Sequence, residues 1–126
     1  MIAPITDAAD AKWIFDVAGY PEKWPDNLPA ASDSHVILGA YCPDLVGCFP
    51  VQFHGLNAEI HAAFLPAFRG EHATKEAREA FQWVWDNTSY QVIVANIELP
   101  HVIRFAERCG MKPTNGRHEV QRWAVL

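Results

Sequence analysis

Between Asn57 and Val84 the apolar period of the chain changes once, and the change is sharp. Ile60, Ala62 and Phe64 alternate with other residues as one face of a strand does; Pro66 stops the run and Arg69-Gly70 turns it. Ala73, Ala77, Ala80, Phe81 and Val84 then recur at helical spacing, which predicts a helix from Glu71 to Asp86. A helix entered this way leaves its first amides free beside the strand's end, where its dipole favours negative charge. The junction is a ready anion site.

Upstream, Met1 to Ile5 reads as a short strand, and Thr6 or Asp7 caps a helix with Ala8, Ala11, Ile14, Phe15 and Ala18 on one side. Gly19 and Pro21 end that helix, and the proline-rich residues 20 to 34 read as a loop. His35 to Tyr41 is a strand, Cys42 to Leu45 a turn, and Val46 to His54 a strand in which Pro50 implies an edge position or a bulge. A turn through Gly55 to Ala58 follows. Downstream, Gln91 to Asn96 is the least polar strand and is expected to be central. Pro100 opens a helix with Val102, Ile103, Phe105, Ala106 and Cys109 mostly inward, closed by Gly110. A short strand near Met111, a turn at Asn115-Gly116 and a strand from Glu119 to Leu126 complete the chain. A strand meander giving way to strand-helix alternation predicts one α/β domain with a mixed, mainly antiparallel sheet.

Composition narrows the partners. A chain of 126 residues, 50% hydrophobic and 20% charged, can bury one substantial core and is expected to fold as a single domain over 1–126. Its formal charge of -5 gives no electrostatic reason to bind nucleic acid, and no apolar run is long enough for a membrane span. Cys42, Cys48 and Cys109 match no zinc spacing, and the first residues lack a signal-peptide form, so a reducing, cytoplasmic setting is expected.

Two stretches, LPAFRGEHATKEA and VIVANIELPHVIRFAERCGMKP, resemble the GNAT N-acetyltransferase family, particularly its branch that acetylates protein N-termini. The first is similar to that family's P-x-[FY]-R-G turn and phosphate loop, the second to its next strand and helix. The resemblance implies a GNAT-like acyl-CoA N-acyltransferase fold, acetyl-CoA as co-substrate and an amine acceptor. It implies a diphosphate held by Arg69, Gly70, Glu71, His72 and Ala73, and pantetheine beside Phe64, Leu65 and Val94. Some small phage-encoded proteins of similar appearance are labelled head-assembly factors. That resemblance implies instead a non-catalytic protein of the host cytosol or virion, with exposed tryptophans serving homo-oligomer or viral assembly contacts.

The resemblance also implies Glu59 as the best candidate base for an acetyl transfer, which needs no metal, since some relatives carry a catalytic or substrate-facing carboxylate at that place. With a turn centred on Leu56-Asn57, His54 would face Glu59 and Gln52 would face His61, which gathers four polar side chains on one side of a hairpin. Such a cluster suits a proton relay through His54 or His61. It equally suits a solvated sheet face, and a His-Glu-His metal site is a third possibility. His101 and His118 read as exposed, and Trp83, Trp85 and Trp123 as core or interface packing.

The family pattern is departed from at Ala67, where Gln or Arg is usual, and at His72, where glycine keeps side chains clear of the diphosphate. Glu71 replaces a basic residue, and a like charge ~6 Å from a phosphate costs roughly 1–3 kcal/mol. Ala106 stands where a tyrosine often protonates the departing thiolate, and Leu99 where asparagine is usual.

Overall fold

A computed structural model of the protein describes residues 1–20 and 31–123. The elements run β1 (Ile2–Pro4), α1 (Ala8–Val17), β2 (Ala31–Ser32), β3 (His35–Tyr41), β4 (Leu45–His54), β5 (Asn57–Ile60) and β6 (Ala63–Phe64). After a 3-10 turn at Pro66–Phe68 come α2 (Glu71–Asn87), β7 (Val92–Ala95), α3 (Pro100–Arg108), β8 (Lys112–Thr114) and β9 (Arg117–Gln121). Most of the loop expected over 20 to 34 lies outside the described residues, but Ala31–Ser32 within it form β2 and pair with Val36 and His35 of β3; the end of the last strand, expected to reach Leu126, also lies outside them.

The strands form one mixed sheet in the order β1-β3-β4-β5-β7-β9-β8, with β2 added to β3 and β6 to β4. Every pairing is antiparallel except that of β5 with β7. That is the predicted α/β architecture. One sheet face, with Leu38, Phe49, Val51, Ile60 and Ile93, packs on Ala77, Phe81 and Val84 of α2 and Ala106 of α3. The opposite face, through Ile37 and Cys48, packs on Ala11, Ile14 and Phe15 of α1. Asp7 caps α1 by accepting from the Ala9 amide at 2.8 Å.

Pro50 is neither at an edge nor at a bulge, contrary to expectation. It lies inside β4, opposite Ile37 of β3, and the register shift of that pair falls at Ala40/Tyr41. Its carbonyl accepts from the His61 amide at 2.9 Å, so its ring nitrogen also faces His61. The missing donor therefore falls at His61-Ala62, where strand pairing lapses between β5 and β6. Ala62, expected inward with Ile60 and Phe64, is exposed at this lapse.

The hairpin turn is also two residues tighter than the sequence suggests. Gly55, at φ 57°, and Leu56 make it, so His54 pairs with Asn57 and Gln52 with Glu59. Because the offset is even, the same side chains stay on the same face. On α2, the expected Glu71-Lys75 and Lys75-Glu79 pairs are absent among the described residues; Glu79 lies 3.8 Å from the Met1 ammonium. Exposed pairs of long side chains gain little, so other geometries compete easily. The same ammonium donates to buried Glu76 at 3.1 and 3.3 Å.

Candidate active site at the strand fork

β5 and β7 run side by side only as far as the pair Glu59↔Val94. Beyond it the strand through β6 stays with β4, pairing Ala63 with Cys48 and Phe64 with Gly47, while Ala95 pairs with His118 of β9. The two strands part, and a hollow of about 590 Å³ opens between them. It reaches Arg69, Gly70 and Ala73 at the start of α2, Phe105 and Ala106 on α3 with Cys109 at its C-cap, and Tyr20 and His61 on the α1 side. Alanines at 62, 73, 77, 95 and 106 line it, and their small side chains leave the width that larger residues would fill.

Alternation along the strand sets which amides face the gap. The amides of His61 and Leu65 bond to β4, so those of Ala62 and Phe64 are directed the other way, into the fork. The Phe64 carbonyl accepts from Arg69 Nε at 3.1 Å, which ties the turn to the strand. Gly70, the N-cap of α2 at φ 83°, brings no side chain to the first-turn amides, and an added Cβ there would meet nothing within 4 Å.

Not every residue named from the sequence reaches this hollow. Phe64, Arg69, Gly70 and Ala73 line it. Leu65 packs with the α1-side cluster, and Val94 is buried without lining the hollow. Glu71 lines a neighbouring open groove with Lys75, Arg78, Glu79 and Arg108. His72, expected to crowd the diphosphate, turns elsewhere. Its ring stands 5.4 Å from Phe68 and its Nε2 4.0 Å from Glu76 Oε1, so a side chain at that position leaves the hollow open.

The polar cluster forms despite the changed register. Glu59 Oε2 lies 3.5 Å from His61 Nε2 and 3.9 Å from His54 Nε2, and His54 Nε2 is 3.2 Å from Gln52 Oε1. His61 links the cluster to the hollow and faces the Tyr20 ring at 6.2 Å. Asn96, which sequence reasoning missed, donates to Glu59 Oε1 at 2.8 Å. A parallel register between the strands at 57 and 92 would have put Asn96 on the Glu59 face, but pairing partners are not local information. No group of three or more His, Cys, Asp or Glu side chains able to hold a metal occurs among the described residues. His101 is exposed as expected and lines the hollow. His118, expected exposed, is buried and bonds Glu107 Oε2 at 2.9 Å. It shares the inward parity of Val120 on β9.

A family model described as protein of unknown function (DUF2824) matches residues 31–106, more than half of the chain. The chain belongs to the DUF2824 family. No curated protein matches this DUF2824 sequence. Among solved structures, spermidine N-acetyltransferase SpeG from Vibrio cholerae in complex with CoA and spermine aligns with TM-score 0.75 at 13% identity, over 97% of this chain and 95% of that one. The dodecameric spermidine N-acetyltransferase from Vibrio cholerae in an intermediate state aligns with TM-score 0.72 at 12% identity, over 97% and 93%. A likeness at that identity is one of fold, and the DUF2824 chain has the GNAT acyltransferase fold. No described helix is long and apolar enough to cross a membrane.

Proposed function

We propose that the protein transfers an acetyl group from acetyl-CoA to an amine. The observation that carries this reading is the hollow at the fork, which joins the free amides at the start of α2 to the Glu59 cluster. The diphosphate would lie against the amides of Gly70 to Ala73, with Arg69 beside it, and the pantetheine arm would thread the alanine-lined gap past Phe64. Fold neighbours that are spermidine N-acetyltransferases, one of them in complex with CoA and spermine, support the same reaction class.

In this reading the substrate's ammonium loses one proton to Glu59, directly or through His61 and water, and the neutral amine then attacks the thioester carbonyl. The Ala62 amide is directed to donate to the oxyanion that develops as the new C–N bond forms. Collapse breaks the C–S bond, and the thiolate, which Ala106 cannot protonate, takes through water the second proton that the nitrogen sheds as the amide forms. Cys109 is a poor nucleophile for a two-step alternative. Burial pushes its thiol up to about 11, against the lowering influence of Arg78, Thr74 and Arg108.

Acetyl-CoA in hundredfold excess over its Kd would add about 2.7 kcal/mol of stability, so the melting temperature is expected to rise by several degrees. Gly70→Asp, checked for intact secondary structure, should abolish the rise by placing a carboxylate among the amides. Glu59→Gln should keep the rise and lower kcat roughly 10²–10⁴-fold. A melting temperature unmoved by millimolar acetyl-CoA would refute the reading and leave a non-catalytic scaffold, whose contacts would involve exposed Trp13 and Trp123.

A further inference from the structure

We infer that Asn96 is a positioning residue that aims the Glu59 carboxylate, an inference resting on the acetyl-transfer reading above. Asn96 lies just past the last parallel pair, on the strand end that is leaving β5. Its Nδ2 reaches back across the fork and donates to Glu59 Oε1 at 2.8 Å. The other oxygen, Oε2, is the one near His61 at 3.5 Å and His54 at 3.9 Å.

A carboxylate is planar, so tethering one oxygen sets where the lone pairs of the other point. A free glutamate side chain samples several rotamers, and the bond from Asn96 removes that freedom before substrate arrives. The donor is neutral and the acceptor ionised, which makes the bond stronger than one between neutral groups. The Asn96 carboxamide takes no proton itself. It acts through Glu59, whose Oε2 then receives the amine's proton directly or by way of His61.

The same contact also sits at the point where the strands separate, and a purely structural clasp would act on the width of the hollow. Kinetics separate the two roles. The full chain is assayed with acetyl-CoA and a primary amine, spermidine or a short peptide with a free N-terminus, whichever the unsubstituted protein acetylates. Asn96→Ala is expected to lower kcat about tenfold at unchanged KM for acetyl-CoA and unchanged melting temperature. Asn96→Asp, the same shape without a donor, should fall further, and Asn96→Gln should recover part of the loss. In a Glu59→Gln background, Asn96→Ala should have no added effect on kcat.

Without ligand, the Asn96 side-chain amide resonances should move on Glu59→Gln. An unchanged kcat in Asn96→Ala, a raised KM with kcat kept, additive losses in the double variant, or resonances that stay put would each overturn the inference while the acetyl-transfer reading stood. Absence of both acetyl-CoA binding and acetylation in the unsubstituted protein would overturn that reading first, and this inference with it.

Discussion

Cys48 and Cys109 are buried, whereas Cys42 is exposed, so a thiol reagent should modify Cys42 first and Cys48, which lies away from the hollow, only on unfolding. Burial pushes Cys48 up to about 12 and Cys109 up to about 11 from an ordinary 9.0. Below pH 9 both folded and unfolded chains hold these protons, and the thiols add no pH dependence. Between the ordinary and the raised values the unfolded chain releases them while the fold keeps them, so stability falls as pH rises. Melting followed from pH 8 to pH 11 should show that decline, and Cys109→Ala should make it shallower. Glu71 is the other residue with a clear sign. Its carboxylate sits beside the turn proposed to hold the diphosphate, so Glu71→Lys should tighten acetyl-CoA up to roughly tenfold, an effect that shrinks with added salt in a titration at two ionic strengths. The fate of His72 was not legible from its position, because whether a first-turn side chain enters the hollow depends on the Phe68 ring it packs against.

The β4-β6 pairing shows how one element shapes another. Gly47 lies opposite Phe64, and a Cβ there would meet the Phe64 ring at 2.5 Å. Gly47→Ala should cost ~1–3 kcal/mol in denaturant unfolding and weaken acetyl-CoA binding as well, since Phe64 must shift and it is a wall of the hollow. Pro50 acts through its missing donor, which relaxes the strand at His61-Ala62 beside the fork. The effect of that proline was misjudged because a single sequence does not tell which neighbour its nitrogen faces. A second tie joins β9 to α3 through His118 and Glu107. Glu107→Ala leaves a buried imidazole without its partner and should cost ~1–3 kcal/mol by the same measurement.

Across the whole molecule, the hollow exists because one continuous strand keeps its neighbour β4 while β7 keeps β9, and neither can follow the other past Glu59 and Val94. Two helices cover one face of that fork and α1 covers part of the other, so the gap leads from one side of the sheet to the other. Periodicity, proline and glycine positions were enough to determine the α/β class, the order of the helices and the strand-turn-helix at 57–77, since those depend on spacing within a dozen residues. The Glu59 cluster was half legible, because parity survives an even register error, although the turn was expected to be wider and later than it is. What only the tertiary structure decided was the contact between groups far apart in the chain: Asn96 on Glu59, His118 on Glu107, and the point at which two parallel strands separate. Those are set by backbone pairing between distant segments, and no local pattern of apolar and polar residues encodes where such pairing ends.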